Sequence, residues 1–162
     1  MNKRLVLRLL GAILLIEALA MAPSLAISLL YGDGDALALL SSMALLAALG
    51  FPAWRFARPR EQNLRAREGF LVVALSWVLL SAFGALPFVI SGLIPNYIDA
   101  FFEAVSGFTT TGATLMGNFD GLPRGVMFWR SFTHWIGGMG VLVLTLALLP
   151  QMTGRSSHLV RA

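Results

Sequence analysis

The chain has 162 residues, of which 57% are hydrophobic and 12% are charged, and its mean hydropathy is +0.78. A soluble domain carries about 25% charged residues, so the composition excludes an ordinary soluble surface and indicates that lipid surrounds most of the chain. The absence of cysteine excludes disulfides and thiolate metal sites. The net charge of +4 comes without an aromatic-interleaved basic patch, so we expect no nucleic-acid partner.

Long apolar runs predict an all-α membrane protein with about four transmembrane helices, two of them within residues 1–58. The first runs over 9–30, and Pro23 is expected to kink it. Glu17 is its only charged residue, and an intramembrane carboxyl is costly. We expect this carboxyl to be protonated or hydrogen-bonded to a neighbouring helix, with an ion-pathway role as the alternative. The second span covers 36–56.

The distribution of basic residues predicts the orientation. Residues 59–68 form a short arginine-rich loop between spans, which the positive-inside rule places in the cytoplasm. By alternation, the N-terminus and the tail over 151–162 are cytoplasmic as well. Of the 12 Lys and Arg residues, all except Arg124 and Arg130 then fall on or near the inner side. We therefore expect a multi-pass protein of the cell inner membrane, in direct contact with lipid.

Residues 69–150 are predicted to form a membrane–pore–membrane unit. Its parts are a span over 69–94, a pore half-helix over 97–108, a filter segment over 109–114, and a span over 126–149 that Pro150 ends. Three successive threonines lose side-chain freedom in a helix, and Gly112 costs roughly 1 kcal/mol there relative to alanine. Irregular backbone at membrane depth is tolerated only where protein buries it or where it lines a watery cavity. The stretch therefore predicts a re-entrant pore half-helix and filter loop.

The filter segment has the chemistry of a cation site. Extended backbone carbonyls can replace the hydration shell of an alkali cation, and Gly112 reaches the required backbone angles without a clashing side chain. The carboxyl end of the half-helix carries about half a negative elementary charge, which favours a cation nearby. Threonine hydroxyls can add oxygens or brace the strand. The sequence predicts an ion-selecting strand, with a re-entrant loop that only packs as the alternative.

Charged and small residues around the loop have predicted supporting roles. Asp99, Glu103 and Asp120 are expected to add negative charge near the outer mouth. We expect Arg130 to pair with Glu103 or Asp99 and so hold the half-helix to the following span. His134 is expected to be packed and hydrogen-bonded. The glycines of the following span are expected to permit close packing against the half-helix, with a gating hinge as the alternative: Gly137, Gly138 and Gly140.

Two motifs resemble a known family. The stretch FEAVSGFTTTGAT over 102–114 is similar to the first pore loop of the Trk/Ktr/HKT superfamily of potassium transporters. The stretch WRSFTHWIGGMG over 129–140 is similar to the helix that follows that loop. Together with two preceding spans, they resemble the TrkH-type membrane subunits of this superfamily.

The resemblance implies four such units around a pseudo-fourfold axis, each donating one filter strand with a key glycine, here Gly112. It implies K⁺ as the transported ion, bound at Thr110, Thr111, Gly112 and Ala113, with Thr109, Thr114, Glu103 and Asp99 supporting the filter or its mouth. It implies no covalently bound cofactor, and a cytosolic nucleotide-binding regulatory subunit of the TrkA type as a partner.

The chain departs from the family because it contains one such unit, and one strand cannot surround an ion. We expect an N-terminal portion of a larger transporter; units from other chains or a homotetramer are the alternatives. A non-conducting relict or assembly subunit, and translocation of both Na⁺ and K⁺, also stay open. No serine with a paired base and no ligand-spaced cluster is found, so we expect no enzyme.

Overall fold

The computed structural model describes residues 2–57 and 66–153, and the side chains of residues 2–57 and 67–143. Within them the regular structure is entirely helical. The helices in chain order are α1 (Lys3–Ala20), α2 (Ala22–Tyr31), α3 (Ala36–Phe56), α4 (Ala66–Gly84), α5 (Leu86–Ile90), α6 (Tyr97–Phe108) and α7 (Arg124–Thr153). Most of the predicted cytoplasmic loop and most of the predicted tail lie outside the described residues. The end of that loop begins α4.

Three stretches of the described chain are long and apolar enough to cross a membrane: Lys3–Tyr31, Ala36–Phe56 and Arg67–Ile90. The predicted fourth span lies within α7, whose 30 residues extend about 45 Å at 1.5 Å per residue. The prediction of an all-α membrane fold is confirmed. The prediction that Pro150 ends the last helix was wrong, because α7 continues to Thr153. A proline removes one backbone hydrogen bond and bends a helix, but the last turn can continue beyond it.

Two spans are interrupted, each two residues before a proline. The expected kink in the first span is confirmed, since α1 and α2 meet at Met21, ahead of Pro23. The predicted third span is divided at Ala85, ahead of Pro87, into α4 and α5. In both cases the proline lacks an N–H and its ring crowds the carbonyl four residues earlier. The third apolar run therefore ends in a short, separate helix.

Trp129 fastens α7 to the break between α4 and α5. Its indole N–H donates to the carbonyl oxygen of Gly84 at 2.9 Å, and its side chain is fully buried. The ring also meets Phe108, the last residue of α6, edge-on at 6.2 Å between centroids. One side chain thus connects the interrupted span, α6 and α7.

We expect Trp129→Phe to lower the free energy of unfolding by about 1–3 kcal/mol, since it leaves the buried carbonyl of Gly84 without its indole donor. Chemical denaturation of the purified chain in detergent, followed by circular dichroism, measures this change. Trp135→Phe is the matched control because Trp135 is largely exposed on the same helix. An equal loss in both variants would contradict a specific role for the indole bond.

The start of α7 is held by the turn that joins α2 to α3. Asp33 Oδ2 accepts the backbone N–H of Arg124 at 3.0 Å, and Asp35 Oδ2 accepts that of Val126 at 2.7 Å. Asp35 also accepts the hydroxyl of Ser28. Carboxylates stabilise the first turn of a helix because its N–H groups lack partners and its dipole is positive there. The first two spans therefore set the position of the helix that follows the loop.

Candidate ion-binding loop

Helix α6 lies against the core and ends at the predicted filter segment. Its bounds are the 97–108 that the sequence predicts for the half-helix. Asn96 caps its start by accepting the N–H of Ile98 at 2.9 Å, and the half-buried Asp99 lies in its first turn. Ala100, Ala104 and Phe108 are fully buried on one face. This face fixes the direction in which the loop leaves the helix.

The helix ends in a Schellman motif, in which the backbone turns left-handed after the last residue. The three closing bonds run from Thr109 N to Val105 O (2.8 Å), Thr110 N to Gly107 O (2.9 Å) and Thr111 N to Ser106 O (3.0 Å). Glycine usually occupies the left-handed position, but here it is Thr110, with φ +58°. No other non-glycine residue in the described chain has a positive φ. A left-handed L-residue costs about 1–2 kcal/mol, so strain is concentrated at a predicted ion-binding residue.

The threonine hydroxyls are engaged within the loop. Thr109 Oγ1 donates to the carbonyl of Val105 at 2.7 Å and lies 2.8 Å from Thr111 Oγ1. Thr110 Oγ1 donates to the carbonyl of Thr109 at 2.7 Å. Gly112 follows at φ +77°, and apart from Gly112 and its two chain neighbours no atom lies within 4 Å of the place where a Cβ would stand. The hydroxyls therefore stabilise the loop by internal hydrogen bonds. Gly112 is its second residue with a left-handed backbone, and a side chain there would meet open space.

Two side chains of α6 form hydrogen bonds to the C-terminal end of the loop. Ser106 Oγ donates to the carbonyl of Ala113 at 2.6 Å. Glu103 Oε2 accepts the hydroxyl of Thr114 at 3.2 Å and the backbone N–H of Leu115 at 3.1 Å. Residues three apart on a helix share a face, so Glu103 and Ser106 act together. Of the carbonyls predicted to bind an ion, that of Ala113 is already bonded to the protein.

Glu103 is also paired with Arg130 of α7. Arg130 Nε lies 2.5 Å from Glu103 Oε1, with the two side chains 15% and 0% exposed. The predicted pairing of Arg130 with Glu103 is confirmed, and this pair joins α6 to α7. Glu103 consequently lies behind the loop rather than on an open mouth. Of the three acidic residues predicted at the mouth, the half-buried Asp99 and the exposed Asp120 are the ones nearer the surface.

Helices α6 and α7 approach so closely that only glycine fits at the contact. A Cβ on Gly137 would stand 2.1 Å from the carbonyl oxygen of Phe108, and one on Gly107 would stand 2.2 Å from Thr133 Oγ1. The predicted close packing against the half-helix is confirmed for Gly137, but Gly140 instead meets Trp77 of α4, whose ring lies 3.4 Å from the place of a Cβ. His134 Nδ1 lies 3.0 Å from the carbonyl of Arg130, which confirms a hydrogen-bonded, half-buried histidine.

The loop itself is exposed. Residues 109–114 are all exposed, whereas the helix before them is anchored in the core. Among the residues that the structure describes, no group of three or more His, Asp or Glu side chains is placed to hold a metal ion. The exposed oxygens of this loop therefore belong to a single segment of the chain, residues 109–114.

A family model described as the TrkH cation transport protein matches residues 38–162, which is more than half of the chain. The chain belongs to this family. It is similar to Trk system potassium uptake protein TrkH of Halomonas elongata (40% identity, 94% of this chain, 32% of the relative). It is also similar to TrkH of Vibrio parahaemolyticus (38%, 100% and 34%) and to TrkG of Escherichia coli K12 (36%, 91% and 30%).

The crystal structure of the potassium transporter TrkH from Vibrio parahaemolyticus has the same fold over the shared region. Its TM-score to this chain is 0.85 at 39% identity, and the match covers 93% of this chain and 32% of that one. The chain thus spans about a third of the length of the relatives that it matches.

Proposed function

We propose that this chain forms one wall of a potassium-selective pathway through the membrane. The ion-binding residues in this proposal are Thr110, Thr111, Gly112 and Ala113, with backbone carbonyls as ligands. The observation that carries it is an exposed strand with two left-handed residues, Thr110 and Gly112, fixed from behind by Glu103 and Ser106. A pathway that replaces the hydration shell of K⁺ needs such neutral oxygens held in place.

The hydrogen bonds of the loop support backbone carbonyls as the ligands. The hydroxyls of Thr109, Thr110 and Thr111 are all within bonding distance of protein oxygens. The carbonyl of Ala113 accepts from Ser106, so it contributes at most its second lone pair. The carbonyls of Thr110, Thr111 and Gly112 are therefore the main ligands in this proposal, and the negative end of α6 adds a favourable potential.

A single filter strand cannot surround an ion, so the proposed pathway needs strands from further pore units. The proposed partners are further pore units, supplied by the same gene product, by a homologue or by copies of this chain around a closed axis. The relatives that span three times this length are named potassium uptake proteins. The proposal also includes the cell inner membrane with both termini cytoplasmic, supported by the basic residues, and a TrkA-type nucleotide-binding regulatory subunit, supported by the family.

Rubidium uptake by bacteria that lack their own K⁺ uptake systems tests this proposal. The chain is expressed alone and together with the missing pore units of a TrkH relative, and crosslinking reports its assembly in the membrane. We expect uptake to depend on the chain and to be lost when residues 109–114 are replaced by an alanine–serine segment. A chain that assembles with other units but whose loop can be replaced without changing uptake would be an assembly subunit instead.

Gly112→Ser is expected to reduce the ratio of K⁺ to Na⁺ uptake by about tenfold. Serine at this φ is strained by about 1–2 kcal/mol. We expect the filter carbonyls to shift and relieve this strain. A change of 1.4 kcal/mol corresponds to a factor of ten in relative ion affinity. Gly92→Ser is a matched control, because Gly92 has φ +76° against +77° for Gly112 and both have open space for a Cβ. Equal ion ratios in the two variants would contradict the filter assignment.

A further inference from the structure

A groove lies between the start of α1 and the end of α3. Its volume is about 520 Å³, its walls are mainly apolar, and Arg4 borders it, so it is called here the Arg4 groove. Leu7 and Phe56 in its walls are 52% and 75% exposed, which shows that the groove opens onto the outer surface of the helices. The walls can therefore contact a molecule that lies against the outside of the protein.

Two glycines place the groove at the end of both spans. A Cβ on Gly11 would stand 2.7 Å from Ala53 Cβ, and one on Gly50 would stand 2.9 Å from the carbonyl oxygen of Gly11, so α1 and α3 are in close contact there. The groove residues of α1 precede Gly11, and those of α3 follow Gly50. Trp54, which is 39% exposed, belongs to a residue type that is enriched where headgroups meet hydrocarbon. The groove therefore lies where the apolar run over 36–56 ends, at the level of the lipid headgroups.

Three arginines belong to the helix ends that form the groove. Arg4 and Arg8 are four residues apart on α1 and so share a face, and Arg55 lies in the last turn of α3. Arg4 and Arg55 are exposed, and Arg8 is half-buried. The first turn of α1 contains no acidic residue and adds the positive end of the helix dipole. The potential at this end of the spans is therefore positive.

No carboxylate of the described chain neutralises these arginines. None of them takes part in an ion pair within residues 2–57 and 67–143. Glu17, the only acidic residue of α1, is 2% exposed further along the helix, and its carboxyl oxygens have no hydrogen-bond partner in that part of the chain. Glu68 of α4 is 4% exposed and accepts the backbone N–H of Asn2 at 2.5 Å. The positive charge beside the groove is therefore available to an external anion.

We propose that the Arg4 groove binds an anionic phospholipid, with an acyl chain against its apolar walls and the phosphate beside the arginines. Each basic residue at headgroup level adds attraction for an anionic headgroup. A zwitterionic lipid offers the same chains but gains less from the arginines, and a soluble phosphate leaves Leu7 and Phe56 without an apolar partner. In the proposed orientation the lipid belongs to the cytoplasmic leaflet. Its binding does not depend on the proposed ion pathway.

Native mass spectrometry of the purified full chain in mild detergent tests this proposal. The chain is titrated with palmitoyl-oleoyl phosphatidylglycerol and, separately, with phosphatidylcholine that has the same two chains, and bound lipid is counted at each concentration. We expect phosphatidylglycerol to bind about tenfold more tightly, because only its headgroup has a net negative charge for the arginines. Glycerol 3-phosphate, which has the phosphate without the chains, should not displace it.

Paired variants of exposed residues locate the bound lipid. Arg4→Gln should weaken phosphatidylglycerol binding about fivefold, whereas Arg67→Gln, which removes an exposed arginine at the start of α4 outside the groove wall, should not. Phe56→Ser should weaken the binding of both lipids, and Phe51→Ser, also exposed on α3 but outside the wall, should leave it unchanged. Circular dichroism confirms that each variant is folded.

Three results would overturn the proposal. Equal affinity for the two lipids would remove the role of the arginines. The same loss in Arg4→Gln and Arg67→Gln would indicate a diffuse attraction to basic residues instead of a site in the groove. Displacement by glycerol 3-phosphate would assign the arginines to a soluble phosphate.

Discussion

Glu103→Ala is expected to lower the free energy of unfolding by about 3–5 kcal/mol, because it leaves Arg130 as a buried charge without its partner. It also removes the acceptor for Thr114 and for the backbone N–H of Leu115. Denaturant titration of the chain in detergent measures the stability. Hydrogen exchange at the amide of Leu115 should accelerate in the same variant, since that amide loses its bond.

Asp99→Ala is the control, because Asp99 is an acidic residue of the same helix that is only half-buried. A first-turn carboxylate contributes about 0.3–1 kcal/mol, so this variant should be much milder. The double variant Glu103→Leu with Arg130→Leu should recover part of the stability, since replacing both members of a buried pair removes the unpaired charge. The same small loss in Glu103→Ala and Asp99→Ala would contradict a buried pair that holds the loop.

Gly137→Ala is the second change with a large expected effect. Its Cβ would stand 2.1 Å from a backbone oxygen of Phe108, so α6 and α7 must move apart. Overpacking of this kind costs about 1–3 kcal/mol or more. Because Phe108 leads directly into the loop, we also expect ion uptake to fall, which the rubidium assay would report.

Gly138→Ala separates this contact from the intrinsic effect of glycine in a helix. A Cβ on Gly138 would have its nearest neighbour, Thr110 Cγ2, at 3.9 Å. Alanine is favoured over glycine by about 1 kcal/mol in a helix interior, so this variant should be neutral or more stable. If the two adjacent substitutions had the same effect, the close approach of α6 and α7 would not be what requires Gly137.

The sequence was sufficient for the spans and for the half-helix because these follow from local composition. Apolar runs determine which helices can lie in lipid, and the threonines with Gly112 determine where α6 ends. The pair Glu103–Arg130 was also predictable, since few charges lie near membrane depth and each needs a partner. The predicted role of Glu103 at the mouth was less well founded, because exposure depends on the packing of α6 against α7.

Contacts between distant segments were not predictable from local patterns. Asp35 and Val126, which are 91 residues apart, meet only in the folded chain. The left-handed Thr110 is equally unexpected, since threonine disfavours that backbone region. The closing bonds of the helix end, from Thr110 N to Gly107 O and from Thr111 N to Ser106 O, hold it there. The bond from Ser106 to Ala113 had a usable signal, because Ser106 lies three residues after Glu103 on the face that meets the loop.

The most direct test of the filter assignment is an X-ray structure of the chain, assembled with the pore units that complete its pathway, in rubidium. We expect anomalous rubidium density within coordination distance of the backbone carbonyls of Thr110, Thr111 or Gly112. Rubidium density elsewhere along the pathway, with none at residues 109–114 in an assembly that transports the ion, would contradict it.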